Sequence, residues 1–408
     1  LWSDRFDREL ADVFALQDEI AAAVAEALNH TFEPSADVAP IDPVAYELYL
    51  RARAPTMAVA VGPAAADWMW PSDAGLLEEA LARAPKFAQA WAELALAKAV
   101  HAQSQPSVKE FNALSDQAKR AAVMALSLDE QSGGAFAAQS LLLPLCGKFE
   151  EREQLLEKGR AATPNDELLL LQSSVFLSRV GRLDEALDLV TQAYELNPLI
   201  PNVVYWRAET LFNVGRQAEA FALWDQGRAR WPAHPGMHLT AMFYAATVGD
   251  WARVDALMPG ADELAAIHPR EAAGLAAVGY LRDPPADARD VLKEVGRGQI
   301  ARTGTLEFTF IGFIAFAGFV DSAYDLVDAA SFAHLSEPGP AASANGSPHA
   351  LFDAQNAPLR DDVRFVALCA RLGLCDYWVN TDRWPDCADQ IPYDFRDEAR
   401  RLVGGPRG

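Results

Sequence analysis

Apolar residues recur along this chain at the three- and four-residue spacing of amphipathic helices, and glycine and proline interrupt them on a fixed beat. Gly147, Gly181, Gly215 and Gly249 stand 34 residues apart, and Pro164, Pro198 and Pro232 keep the same step. Glycine ends a helix cheaply because it accepts the left-handed conformation, so Gly181 in Arg179-Val180-Gly181-Arg182-Leu183 predicts a turn between two helices. Five residues on comes a small side chain, Ala186 and again Ala220, where a second helix can lie close to the first. Val254 and Arg152 take that place after Gly249 and Gly147. The prolines then stop the second helix before the next unit, so the pattern predicts helical hairpins laid end to end.

The phase continues beyond the clear copies. One step past Gly249, Asp283-Pro284-Pro285-Ala286-Asp287 is a turn with Ala288 at the small position, and the next step, with one residue inserted, reaches Gly318 and Ala323. Towards the start, Pro85 precedes a helix opening at Phe87, whose partner, Leu114 to Leu128, is delayed by a polar insertion around Gln103 to Lys109. A first hairpin is expected from Pro43 to Ala84, with an irregular link from Pro55 to Pro71. A strict period of 34 residues built on helix pairs is the mark of the tetratricopeptide repeat (TPR). The expected fold is all-α, a right-handed superhelical TPR solenoid of about eight hairpins over residues 43–335, with helical caps.

Charge and composition narrow the partners. The chain has 408 residues, 51% of them hydrophobic, and 57 acidic against 35 basic side chains, a formal net charge of −22. It lacks the basic stripe that phosphate neutralisation needs, so no nucleic acid is expected through this segment, and anionic membrane surfaces are disfavoured. The longest apolar run, Phe308 to Val320, is too short to span a bilayer and predicts a buried solenoid helix. No signal-peptide pattern opens the sequence at Leu1-Trp2-Ser3-Asp4.

Candidate chemistry is sparse. Cys146, Cys369, Cys375 and Cys387 have no paired two-residue spacing and no histidine beside them, which predicts buried thiols and no metal. His234 and His238, four apart, lack a third ligand and read as surface or packing residues. Gly296-Arg297-Gly298-Gln299-Ile300-Ala301 resembles a dinucleotide fingerprint only as a string and is expected to be an inter-helix loop. Phosphate-binding loops, nucleophile elbows and zinc-protease helices are missing from the sequence, so neither catalysis nor a cofactor is expected. Stacked hairpins make a concave surface lined by first helices, and the helical phase turns Asn202, Tyr205, Glu209, Phe212, Leu239, Phe243, Tyr280 and Phe308 towards it. This aromatic, nearly uncharged lining is the candidate site for a protein or peptide partner, the alternative being that its aromatics pack against neighbouring helices or the chain's own tail.

The two ends lie outside the repeat. Leu1-Trp2-Ser3-Asp4-Arg5-Phe6 through Ile20 resembles the closing strand and helix of the TolB-like module of multidomain bacterial regulators. Leu351-Phe352, Pro358-Leu359-Arg360-Asp361-Asp362-Val363-Arg364-Phe365, Arg371-Leu372-Gly373-Leu374, Tyr377-Trp378 and Trp384-Pro385-Asp386 are similar to the terminal segment of the same proteins. In that family a TPR array follows a winged-helix DNA-binding domain or a class III nucleotide cyclase. The resemblance implies a sensory or partner-docking half of a signalling or transcriptional regulator, or alternatively the regulatory region of a cyclase. It also implies a cytoplasmic location, or a periplasmic one if the parent is membrane-anchored. No effector motif stands in these residues, so neither DNA binding nor cyclase chemistry is assigned to them.

The expected organisation is then the end of a TolB-like module with a capping helix over 1–32, the solenoid over 43–335, a Pro/Gly/Ala/Ser-rich linker over 336–358 and a helical cap over 359–408. Val13, Leu16, Ile20, Val24 and Leu28 give the first cap an apolar stripe, and Phe365, Leu368, Leu372 and Leu374 give the last one its own. That second stripe predicts a tail that returns to the last hairpins around Phe308 to Phe332, with Leu351-Phe352 anchored on the solenoid. Acidic outer faces and capped ends predict a monomer or weak dimer. Light scattering at moderate salt should accordingly read a mass near that of one 44.3 kDa chain; a stable large oligomer would contradict it.

Overall fold

The computed structural model describes residues 41–53, 73–103, 105, 107–232, 234–258, 269–339 and 347–403. The expected amino-terminal segment 1–32 and the whole of the link over 55–71 lie outside the described residues. Within them the chain is an all-α TPR solenoid, and its helices pair as eight hairpins. These are α1 (Pro43–Arg53) with α2 (Ala74–Arg83), α3 (Ala88–Gln103) with α4 (Val108–Leu128), α5 (Gly133–Leu141) with α6 (Phe149–Ala162), and α7 (Glu167–Arg179) with α8 (Leu183–Leu196). There follow α9 (Pro201–Asn213) with α10 (Gln217–Arg230), α11 (Pro235–Thr247) with α12 (Trp251–Leu257), α13 (Pro269–Arg282) with α14 (Ala288–Thr303), and α15 (Phe308–Phe316) with α16 (Val320–Ala329); the seventh pair is splayed, α13 packing on α11 and α14 on α16. No helix among the described residues is long and apolar enough to cross a membrane.

The periodic glycines work as the pattern requires. Gly181, Gly215, Gly249 and Gly318 all have positive φ, between 73 and 91°. Each turn closes with the same pair of bonds: Arg182 N–H donates to Leu177 O and Gly181 N–H to Ser178 O, and the next repeat copies this with Arg216 to Leu211 and Gly215 to Phe212. This Schellman arrangement satisfies carbonyls that the helix end would otherwise leave unpaired. Ala186, Ala220 and Ala323 are fully buried at the small position, where the second helix meets the first.

Gly147 also has positive φ, yet its turn is built differently. Its N–H donates to Leu372 O of the tail, and Cys146 N–H donates to Leu335 O. Arg152, buried at the small position, supplies the missing donors: its guanidinium reaches Ser140 O, Leu143 O and Pro144 O at 2.5–2.9 Å. Burial, with the nearby charge of Arg179 adding to it, pushes its pKa down, to about 9.

One expectation is corrected. Gly296 to Ala301 is not an inter-helix loop; it lies within α14. The helical cost of Gly296 is offset by close packing, since a Cβ there would stand 2.6 Å from Leu326 Cδ1.

After α16 the chain turns back across the solenoid. Residues 347–356, in the second half of the expected linker, wind through short 3₁₀ turns, and α17 (Ala357–Arg360), α18 (Arg364–Arg371), α19 (Leu374–Thr381) and α20 (Phe395–Leu402) follow. Leu351, Phe352, Leu359, Phe365, Trp378 and Phe395 are buried in one apolar core that runs from the early hairpins to the last one. The tail meets α15 and α16, where Tyr324 Oη donates to Leu359 O and Arg371 to Val327 O and Ala330 O. It also meets the Gly147 and Gly181 turns, where Trp378 Nε1 donates to Val180 O and Asp386 N–H to Gly181 O.

The two roles of these glycines can be separated by substitution. At Gly215 an added Cβ meets nothing within 4 Å, so Gly215→Ala should cost about 1–2 kcal/mol from the left-handed backbone alone. At Gly181 the same Cβ would stand 2.6 Å from the Phe352 ring and 2.7 Å from Pro385 Cβ, so Gly181→Ala should cost distinctly more. Thermal unfolding of the two variants checks this, and equal losses would mean that the tail yields freely at Gly181.

Candidate partner-binding face

The first helices of successive hairpins present one inner face, and the tail segment 347–356 lies on it between α7 and α15, against α9. The α9 side chains that meet the tail are Trp206, Glu209 and Asn213, at the i, i+3, i+7 spacing of one helix face. Asn213 clamps the segment with both ends of its amide: Oδ1 accepts from Ala354 N–H at 2.8 Å, and Nδ2 donates to Asp353 Oδ1 at 3.2 Å. The Trp206 ring meets the His349 ring edge to face at 5.2 Å. Glu209 Oε1 lies 3.4 Å from His349 Nε2, and Arg179 Nε at the end of α7 donates to Ser347 Oγ.

This contact is polar and largely closed to water. Glu209 and Asp353 are 4% and 5% exposed, whereas His349 at the rim keeps 24% of its side chain open. Desolvation drives the Asp353 carboxyl up, to about 7, with the nearby Glu209 charge adding to it and His349 opposing. For His349, burial alone lowers the pKa, but the hydrogen bond and charge of Glu209, with the charge of Asp353, outweigh it and the net shift is upward. Tyr205 and Tyr244 hydroxyls are raised well above their usual range by burial, then by Glu209 and Asp353. Glu209 Oε2 and His349 Nδ1 have no hydrogen-bond partner among the described residues.

The candidate residues from the sequence fall into three groups. Tyr205 and Glu209 stand together at the tail contact, with Asn202 buried one turn earlier on the same helix. Leu239 and Phe243 on α11 are half-buried against the central core. Phe212, Tyr280 and Phe308 are turned elsewhere: Phe212 packs with Tyr244 at 4.2 Å and with Trp224, Tyr280 Oη donates to Ala288 O within its own hairpin, and Phe308 stacks on Phe332 at 5.3 Å. Trp206, Asn213 and Arg179 were missed, although 206, 209 and 213 form a stripe that the apolar pattern, which weights Tyr205 and Phe212, turns by about one residue. The four cysteines are free, three buried and Cys387 half-buried, and no cluster of metal-ligating residues occurs among the described residues. His234 is a buried helix cap whose Nδ1 accepts from Met237 N–H.

A second polar knot fixes the far side of the tail. Glu153 of α6 is buried and receives Arg182 at 2.5 Å, Tyr377 Oη at 2.9 Å and Arg383 at 2.6 Å. Asp386 closes the contact by accepting from Asp184 N–H at the start of α8.

Gly312 in α15 gives a direct test of the docking. A Cβ there would meet the Asn356 side chain at 2.3 Å, and Asn356 Nδ2 itself donates to Ala350 O. In an isolated helix Gly312→Ala would stabilise by about 1 kcal/mol. With the tail in place it should destabilise, and the loss should shrink in the double variant with Asn356→Ala; additive effects of the two substitutions would show that they do not touch.

No family model matches the chain, and no curated protein matches it. Among solved structures it is similar to a thermophilic TPR protein, TTC0263, of Thermus thermophilus, with 20% identity over 42% of this chain and 88% of that one and a TM-score of 0.33. It is also similar to human IFIT1, solved as a dimer with PPP-AAAA, at 13% identity over 77% of each chain and a TM-score of 0.35. Yeast Tom70 is a third, at 13% identity over 81% of each chain and a TM-score of 0.34. At such overlaps the fold assignment rests on the hairpin geometry of this chain itself.

Proposed function

We propose that the chain is a non-catalytic protein–protein interaction scaffold whose inner face recognises a protein or peptide segment, acting as a monomer or weak dimer. The observation that carries this reading is the grip of α9 on His349, Asp353 and Ala354. Asn213 reads a backbone amide and a carboxylate together, while Trp206 and Glu209 hold an imidazole. Such groups recognise an irregular chain segment rather than a small metabolite, and here they do so in cis. The motifs at both ends extend the reading to the sensory or partner-docking half of a bacterial regulator, with the gating region of a nucleotide cyclase as the alternative parent.

The test uses the tail sequence in trans. A labelled peptide of residues 347–357 should bind saturably to the full chain carrying Phe352→Ala and Asp353→Ala, which loosen its own segment, and more weakly when Asn213→Ala is added. Fluorescence anisotropy reads both, and no binding to the loosened chain would reject the inner face as a peptide site.

A further inference from the structure

Between α9 and the tail lie two carboxylates and one imidazole: Glu209 on the solenoid, His349 and Asp353 on the returning segment. The other charged and titratable groups facing them among the described residues are Arg179 at the end of α7, Tyr205 on α9, Tyr244 on α11 and Arg360 on α17. His234 lies beyond Tyr205, their rings 6.0 Å apart. Arg360 is spent on the backbone, donating to Leu351 O and Asp353 O, and Arg179 donates to Ser347. Neither guanidinium forms an ion pair with Glu209 or Asp353.

We propose that His349 and Asp353, set against Glu209, form a proton-operated latch, which holds segment 347–356 on the inner face when these two are protonated and loosens it when their protons leave. Counting charges gives the reason. A charged His349 offsets the Glu209 charge and a protonated Asp353 adds none; once both protons leave, the Asp353 charge stands in the same poorly hydrated site with no imidazolium to offset it, while the guanidiniums of Arg179 and Arg360 face the cluster in both states. His349, partly open at the rim, is the place where protons can exchange with solvent.

Both shifts push the same way. The His349 pKa is raised in the docked state, so its contribution is complete below the free imidazole value of about 6.5 and is lost as pH rises through the docked value. The Asp353 carboxyl is raised from its free value of about 3.9 to about 7, so docking weakens as pH climbs through that interval and the penalty is complete above it. Tyr205 and Tyr244 stay neutral, and Arg179, at about 10, stays charged, so they do not cancel the effect near neutrality. His234, lowered to about 4 by burial, is neutral across the same window. Buried Leu351 and Phe352 add a docking contribution independent of pH, so the latch sets the population of an open minority state. The proposal deepens the peptide-site reading and rests on it in one respect, that the opened tail frees Trp206, Glu209 and Asn213 for a partner.

The test is amide hydrogen exchange on the full chain from about pH 6 to about pH 8.5, with labelling times scaled to the intrinsic rate at each pH. Protection over 347–356 should fall several-fold across neutrality while α18 and α19 keep theirs. Asp353→Asn should flatten the profile; its amide suits the site, because Gln355 Oε1 has no partner there and can accept from it. Protection that is level across the range, a fall undiminished in Asp353→Asn and in His349→Gln, or α18 and α19 opening in step would each overturn the latch. The trans-peptide measurement is separate: if the peptide never binds the loosened chain but the exchange profile and its loss in Asp353→Asn are seen, the latch stands and the peptide-site reading falls.

Discussion

Everything in this architecture depends on the burial of Leu351 and Phe352 between the first helices α7 and α15. A solenoid contacts only its neighbours along one axis, so helices four hairpins apart ordinarily share no core. Here a single segment touches both, and it can do so because Gly181 and Gly312 present bare backbone where side chains would collide with Phe352 and Asn356. The result is one apolar core that includes Leu177 and Val180 from the middle of the array, Ile311 and Ile314 from its end, and Trp378 from the tail. Loop-closure entropy grows slowly with length, so returning a long chain to this place costs little beyond a short one, and each large side chain buried contributes about 1.5–3 kcal/mol.

The tail docks at helix ends as well as on faces, and the reason is chemical. Each helix terminus leaves polar groups without intrahelical partners, and these are the places on a helical surface where a hydrogen bond can be gained. Trp378 takes Val180 O, Asp386 takes Gly181 O and Asp184 N–H, and Arg371 takes Val327 O and Ala330 O. At Gly147 the exchange goes further: the tail accepts the Gly147 N–H, and Arg152 satisfies the nearby carbonyls in place of the usual turn bonds. The sequence departure at Arg152, which looks like a weakened repeat, is therefore a repair tied to tail docking.

This explains what could be read from the sequence and what could not. The beat of Gly181, Gly215 and Gly249 made the hairpins legible because a left-handed turn is a local requirement with few solutions. The apolar stripe of Phe365, Leu368 and Leu372 showed that the tail needs a surface, but a stripe carries no address, and the contacts with the Gly147 and Gly181 turns lie about 200 residues away along the chain. Gly181 hid a second role behind its first, since turn chemistry alone already justified a glycine there. Gly296 misled in the opposite direction, because only the packed neighbour Leu326 explains a glycine inside a helix. At the inner face the aromatic residues drew the assignment towards Tyr205 and Phe212, whereas the side chains that grip the tail include Asn213, whose value lies in its two-ended amide and not in its hydropathy.

The two polar knots that hold the tail differ in kind. Around Glu153 the cations are the guanidiniums of Arg182 and Arg383, with Glu157 and Glu185 also paired to them, and a guanidinium keeps its charge across neutral pH. That knot fixes the register of α19 against α6 and α8 and gives it no reason to change. Around Glu209 the balancing cation is an imidazole, and one of the two carboxyls is held up towards neutrality by burial. Replacing a permanent charge by a titrating one keeps the same geometry at one pH and gives it up at another. The tail thus has a rigid anchor on the side of the Gly147 and Gly181 turns and an adjustable one on α9, and the adjustable one lies over the side chains best suited to hold a second chain.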